Sequence, residues 1–136
     1  LYLDIILNTN RDKMKELKRD PVNYVRDKAK AAYVRGDKCY ICDVETELDF
    51  HHYYSLAPLL HKFVAEQGYN LEDIRDFREE FINEHWEEMY DWTVTLCHKH
   101  HLKLHSIYGR NPPLFSAKKQ INWVEIQKEK HKNGLV

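Results

Sequence analysis

The chain has 136 residues, 43% of them hydrophobic and 32% charged, with only 4 Gly and 4 Pro. That is enough for one modest hydrophobic core in a soluble globular chain, and it excludes a second full domain and a long disordered or fibrous tract. No apolar run approaches the roughly 20 residues that cross a bilayer, which excludes a membrane protein. The net charge of -1 is a cancellation: residues 11–38 carry ten Lys/Arg against five Asp/Glu, residues 98–136 carry eight against two, and residues 66–91 carry two against ten. Two basic flanks around an acidic middle leave a polyanionic partner open.

The elements follow in chain order. Residues 1–7 are a short apolar run whose type stays open, and Thr9 or Asn10 caps a basic helix to about Arg19. The chain starts at Leu1 rather than Met, which points to a trimmed or processed chain, and no secretory pattern is visible near its start. Asp20 and Pro21 read as N-cap and first helical residue, with Val22, Val25, Ala29, Ala32 and Tyr33 on one face and Gly36 as the stop. Polar and apolar residues alternate over 47–50, as on a half-buried strand. Leu56, Leu59, Leu60, Phe63 and Val64 predict a helix ending at Gly68. The acidic stretch that follows repeats Leu71, Ile74, Phe77, Phe81, Ile82, His85 and Met89 at helical steps, which predicts a second helix reaching Met89. A second strand over 92–96, a helix over 98–108 stopped by Gly109, and a last helix from a Ser116 cap to about His131 complete the pattern.

Three cysteines cannot all enter internal disulfides, whereas three thiolates and one imidazole complete a tetrahedral zinc site. Cys39 and Cys42 form one Cys-x-x-Cys pair, and Cys97 and His100 form a Cys-x-x-His pair 54 residues later. Each spacing lets two side chains of one tight turn reach a single ion, so the four are expected to hold a structural zinc, with His98 as the substitute should His100 point elsewhere. Metal-bound rather than disulfide cysteines imply a reducing, cytoplasmic setting.

Other histidines gather beside that site. His51 and His52 end the first strand, where neighbouring side chains point to opposite faces, so only one enters a shared site unless the strand bends or ends there. His101 and His105 are four apart on the helix after the second pair, which puts both imidazoles on one face, spaced to clamp one ion.

Cys39-Tyr-Ile-Cys42, then Leu48-Asp-Phe-His-His-Tyr53, then Val94-Thr-Leu-Cys-His-Lys-His-His-Leu-Lys-Leu-His105 together resemble the His-Asn-His (HNH) nuclease family in its zinc-bearing form. The resemblance covers the central two-thirds of the chain. It implies an α+β, mostly helical fold built on a ββα-metal core of two short antiparallel strands and a helix. On this reading residues 1–136 form a single domain: a basic helical extension over 1–36, the core over 37–109 with a two-helix acidic insertion over 56–90, and a C-terminal helix over 110–136. By the same resemblance His52 is the general base, while His51 and His101, joined by His105, hold the catalytic ion. The family's middle Asn, which braces the loop that carries the base, falls at Trp92 here, a departure from the family pattern; the neighbouring Asp91 is the candidate to fill that supporting role.

The activity so implied is metal-dependent hydrolysis of DNA phosphodiester bonds, one strand at a time, which makes nicking the elementary event. Zinc is structural at the cysteines, and magnesium is the expected catalytic ion, with manganese and nickel also suited to imidazole ligands. Phosphate contacts are expected from Lys28, Lys30, Arg35 and Lys38 before the core, and from Lys103, Arg110, Lys118 and Lys119 after it. The acidic insertion over 66–91 is expected to face solvent or a protein partner with a basic surface. A phage or mobile-element setting, in the cytoplasm of a bacterial or phage-infected cell, goes with the resemblance. The competing reading is a noncatalytic zinc module that binds nucleic acid or protein, favoured by Trp92 in place of Asn.

Overall fold

The computed structural model describes residues 20–135; the apolar run at 1–7 and the expected basic helix up to Arg19 lie outside them. Helix α1 (Pro21–Ala29) starts as its sequence predicts, with the Asp20 carboxylate accepting from the Val22 N–H at 3.3 Å and Pro21 in the first turn. It ends earlier than Gly36. A short 3₁₀ turn, Lys30–Ala32, follows, and Tyr33 is extended, its ring stacked on Phe50 at 4.5 Å and 6°. That stack pulls the chain off the helix axis toward the sheet, and Gly36 instead donates its N–H to Thr95 Oγ1 at 2.7 Å. A Cβ at Gly36 would stand 3.3 Å from that oxygen, so this glycine serves a close approach and not a helix stop.

Strands β1 (Leu48–His52) and β2 (Thr93–Cys97) pair antiparallel in the register Leu48 with Cys97 through His52 with Thr93. Each starts one residue later than the sequence pattern predicts, and His51 and His52 end β1 as expected. Between the strands, α2 (Leu56–Gln67) ends at Gly68 in the left-handed region (φ 70), where the Gly68 N–H closes on Val64 and Ala65 carbonyls. A 3₁₀ turn (Leu71–Asp73) leads into α3 (Ile74–Glu84).

The second acidic helix does not run unbroken to Met89. It breaks at His85 (φ -107, ψ 32), and Glu87–Asp91 form a π turn closed by Trp92 N–H donating to the Glu87 carbonyl at 2.9 Å. The apolar repeat hides the break because Met89 is still fully buried in the same core. The wider turn delivers the chain to the start of β2, where Tyr53 N–H donates to the Trp92 carbonyl at 3.2 Å. Such π turns inside helical stretches often stand at functional sites.

Helix α4 (His98–Tyr108) follows β2 without a loop and packs across both strands, completing a ββα unit. Helix α5 (Ala117–Lys132) closes the described chain. Ser116 precedes it but does not cap it: the hydroxyl donates to the Pro113 carbonyl at 2.6 Å and accepts from Gln120 Nε2 at 2.9 Å.

The apolar residues form two clusters. One joins α1, α2 and α3 around Val25, Leu60, Phe63, Phe81 and Met89. The other joins the cysteine knuckle, the sheet, α4 and α5 around Ile41, Leu96, Leu104 and Val124. The fold is α+β and mostly helical. No helix among the described residues is long and apolar enough to cross a membrane.

Candidate active site and metal centres

The Cys39 and Cys42 knuckle is folded by two backbone bonds, Cys39 N–H to Val44 O at 2.8 Å and Asp43 N–H to Cys39 O at 2.9 Å, with Asp43 at φ 62. It faces the junction of β2 and α4, which carries Cys97 and His100. The three Sγ atoms and His100 Nδ1 all lie within 4.8 Å of one another, with Cys42 and Cys97 sulfurs 3.9 Å apart and Cys97 Sγ 3.2 Å from His100 Nδ1. Four ligands around zinc with bonds of about 2.3 Å to sulfur stand about 3.8 Å apart, so the donor set fits a tetrahedral zinc. Burial raises the Cys39 thiol, but hydrogen bonds from the Cys97, Cys42 and Ile41 backbone outweigh it and hold this thiol below its ordinary range. His98, the substitute ligand, is elsewhere: its Nδ1 meets Asp49 Oδ2 at 3.0 Å.

A second group is built from β1 and α4. His51 Nδ1 lies 3.1 Å from His101 Nε2, and His105 Nε2 lies 2.9 Å from that same nitrogen. The opposite nitrogen of each ring is engaged by an acceptor: His51 Nε2–H donates to Gln120 Oε1 at 2.8 Å, His101 Nδ1–H to Asp49 Oδ2 at 3.0 Å, and His105 Nδ1–H to the Gly109 carbonyl at 2.7 Å. With those protons placed, the three converging nitrogens each carry a lone pair. Three lone pairs at such distances repel unless a proton or a cation sits among them. Burial, the largest influence on both rings, pushes His51 down to about 3 and lowers His101, so a shared proton is disfavoured and a metal ion fits.

His52, the last residue of β1, lines the same cleft of about 460 Å³ as His51, His101 and His105. The strand ends here, which is how adjacent residues reach one cavity. The ring stands edge-on to Tyr33 at 5.0 Å and Phe50 at 5.1 Å. Burial lowers its pKa to about 4, with the Arg26 charge acting the same way and a hydrogen bond to the Met89 backbone acting against it. The His52 Nε2 atom is buried and has no hydrogen-bond partner among the described residues. Asp91, expected to brace the loop that carries His52, is exposed and makes no side-chain hydrogen bond among the described residues. Trp92 is also exposed, and Asn83 stands on the solvent side of α3.

Comparison with known families decides the class. The chain matches the sequence profile of the nicking endonuclease family of phage T5 over residues 9–135. The chain belongs to that nicking endonuclease family. No solved structure matches it.

An endonuclease of this family needs a surface for DNA, and the structure divides the eight basic residues expected to supply it. Lys30 and Arg110 line the histidine cleft. Lys28 pairs with Glu79 of the acidic insertion at 3.6 Å and Lys38 with Asp43 at 3.5 Å. Arg35 donates to the Leu48 carbonyl at 3.1 Å. Lys103 borders the cysteine cluster, and Lys118 and Lys119 stand exposed at the start of α5. Sequence reasoning missed Arg26, which lines the cleft, and the acceptors Asp49 and Gln120. Asp49 had a signal, since two residues before His51 on a strand is the same face. Gln120 had none, lying 69 residues from its partner.

Proposed function

We propose that this nicking endonuclease is of the HNH type, with His52 as general base and His51, His101 and His105 as the ligands of one catalytic divalent ion. The observation that carries the reading is the convergence of three histidine nitrogens in one cleft with a fourth histidine, whose buried Nε2 has no hydrogen-bond partner among the described residues. His52 Nε2 takes a proton from a water; the water oxygen bonds to phosphorus as the bond from phosphorus to the 3′ oxygen breaks. The ion, when bound, supplies charge neutralisation at the phosphate and the leaving oxygen. Magnesium is the expected ion, with manganese or nickel able to replace it. Cys39, Cys42, Cys97 and His100 hold a structural zinc that fixes the knuckle to the sheet and to α4.

The substrate is duplex DNA, held through its phosphates, and one base with one ion is a machinery for cutting one strand. Residues 1–136 act as a single domain whose acidic insertion faces solvent or a basic protein partner. The test is plasmid nicking by EDTA-stripped protein re-supplied with magnesium, manganese or nickel, beside His52→Ala. Open-circle product from the wild type, dependent on added ion and lost in the variant, supports the mechanism. Equal nicking by both would sink it.

A further inference from the structure

The histidine cleft does not end at the metal ligands. Arg26, Arg110 and Asn111, which form one of its walls, also bound a second cavity of about 500 Å³ that continues with Asn23 and His61. The lining of that second cavity is almost wholly polar, with only Val22 and Ala57 as apolar members. Its single carboxylate, Asp20, already accepts the Val22 N–H as the cap of α1. Arg26 makes one hydrogen bond, from Nη1 to Asn23 Oδ1 at 2.8 Å, and neither Arg26 nor Arg110 has a carboxylate partner among the described residues. Two guanidinium forks at the seam of two polar chambers, both exposed, are a recognition surface for a doubly bonded anion.

We propose that the chamber formed by Asn23, Arg26, His61, Arg110 and Asn111 is a second phosphate subsite, which takes the phosphodiester adjacent to the scissile one. This rests on the reading of the histidine cleft as the place of cutting. A strand whose scissile phosphate lies beside His52 passes the Arg26 and Arg110 seam as it leaves the cleft, and its next phosphate enters the chamber. Arg26 serves both phosphates, since it lines the cleft and the chamber alike and its Nη1 is held by Asn23, itself a member of the chamber. The amides of Asn23 and Asn111 and the exposed His61 ring supply donors to the remaining phosphate oxygens. Because such contacts position the strand without carrying sequence information, the subsite sets which bond is presented to the base and not which bases surround it.

The experiment uses duplex oligonucleotides spanning a nick position mapped on a plasmid, with one phosphate at a time in the cut strand replaced by a neutral methylphosphonate. For the wild type, one position next to the cut is expected to raise KM about tenfold or more while kcat changes little. Arg26→Gln with Arg110→Gln is expected to raise KM on the unmodified duplex by a similar factor and to erase the penalty at that one position, with an unchanged thermal midpoint. His61→Gln gives a smaller loss at the same position, and Arg26→Lys, which keeps the charge without the fork, falls between. The parent reading is checked separately by His51→Ala, which abolishes nicking and manganese binding at the histidine group. If His51→Ala still nicks, the parent reading falls. If it is inactive and the arginine variants show the wild-type penalty at every position, the subsite alone is wrong.

Discussion

Gln120 is fully buried in the first turn of α5, and all its bonds serve other residues: it accepts from His51, and its amide donates to the Tyr53 carbonyl at 3.2 Å and to Ser116 Oγ. Its task at the histidine group is to fix the His51 tautomer, a role whose loss typically weakens metal affinity by about 10–100-fold. Gln120→Leu is therefore expected to lower manganese affinity by that factor while leaving the zinc proposed at the cysteine group unaffected, as read by calorimetric titration and metal analysis; undiminished affinity would count against the tautomer argument. Acidity offers a second residue-scale prediction. In the proposed mechanism the base must be neutral to act, and burial depresses His52 to about 4 against an ordinary histidine of about 6.5, so nicking is expected to persist through mild acid and fall only as the pH approaches 4. Stability has its own sign: between about 6.5 and 4 the unfolded chain binds a proton that folded His52 refuses, so stability declines across that window as the pH falls, by up to about 1.4 kcal/mol per unit. A pH profile of kcat with its acid limb near 6.5 would contradict both.

At the scale of elements, what sequence could read was local. Ligand spacing within a turn, as for Cys39 with Cys42, or along one helix face, as for His101 with His105, survives folding because two or three peptide units dictate it. Helices α2, α4 and α5 were legible for the same reason. The helix break at His85 was not, since Met89 keeps the apolar period on both sides of it, and the early end of α1 depends on a Tyr33 to Phe50 stack that no local pattern encodes. Gln120, which orients His51 in the candidate site, belongs to an element remote in sequence. Phe81, fully buried against Phe63 at 5.3 Å between ring centres, anchors the helix that leads into the π turn. Phe81→Ala is expected to cost about 3–5 kcal/mol of stability by denaturant titration, and a cost below about 1 kcal/mol would mean that this core is not consolidated.

For the whole molecule, charge separates by place. Acids of the insertion such as Glu72, Asp76, Glu84 and Glu87 are exposed, on the helices that join β1 to β2, while Arg26, Lys30 and Arg110 surround the cleft. Replacing those four acids by Gln is expected to leave nicking within about twofold; a tenfold change in DNA affinity would mean that they face the DNA. Affinity should fall steeply with salt, since each phosphate that the protein neutralises adds about 0.9 to the steepness of log affinity against log salt. One further consequence lies in the seam between β2 and α4. Cys97 ends the strand, His98 starts the helix, and the adjacent residues His100 and His101 belong to the two different candidate metal groups. Adding or removing one residue there turns everything beyond it by about 100° around the helix axis, so both groups lose a ligand in one step. The stretch between His52 and Thr93, which already accommodates two extra helices, can change length freely by comparison. Insertions and deletions among relatives should therefore collect between the strands and be absent from the segment joining Cys97 to His101.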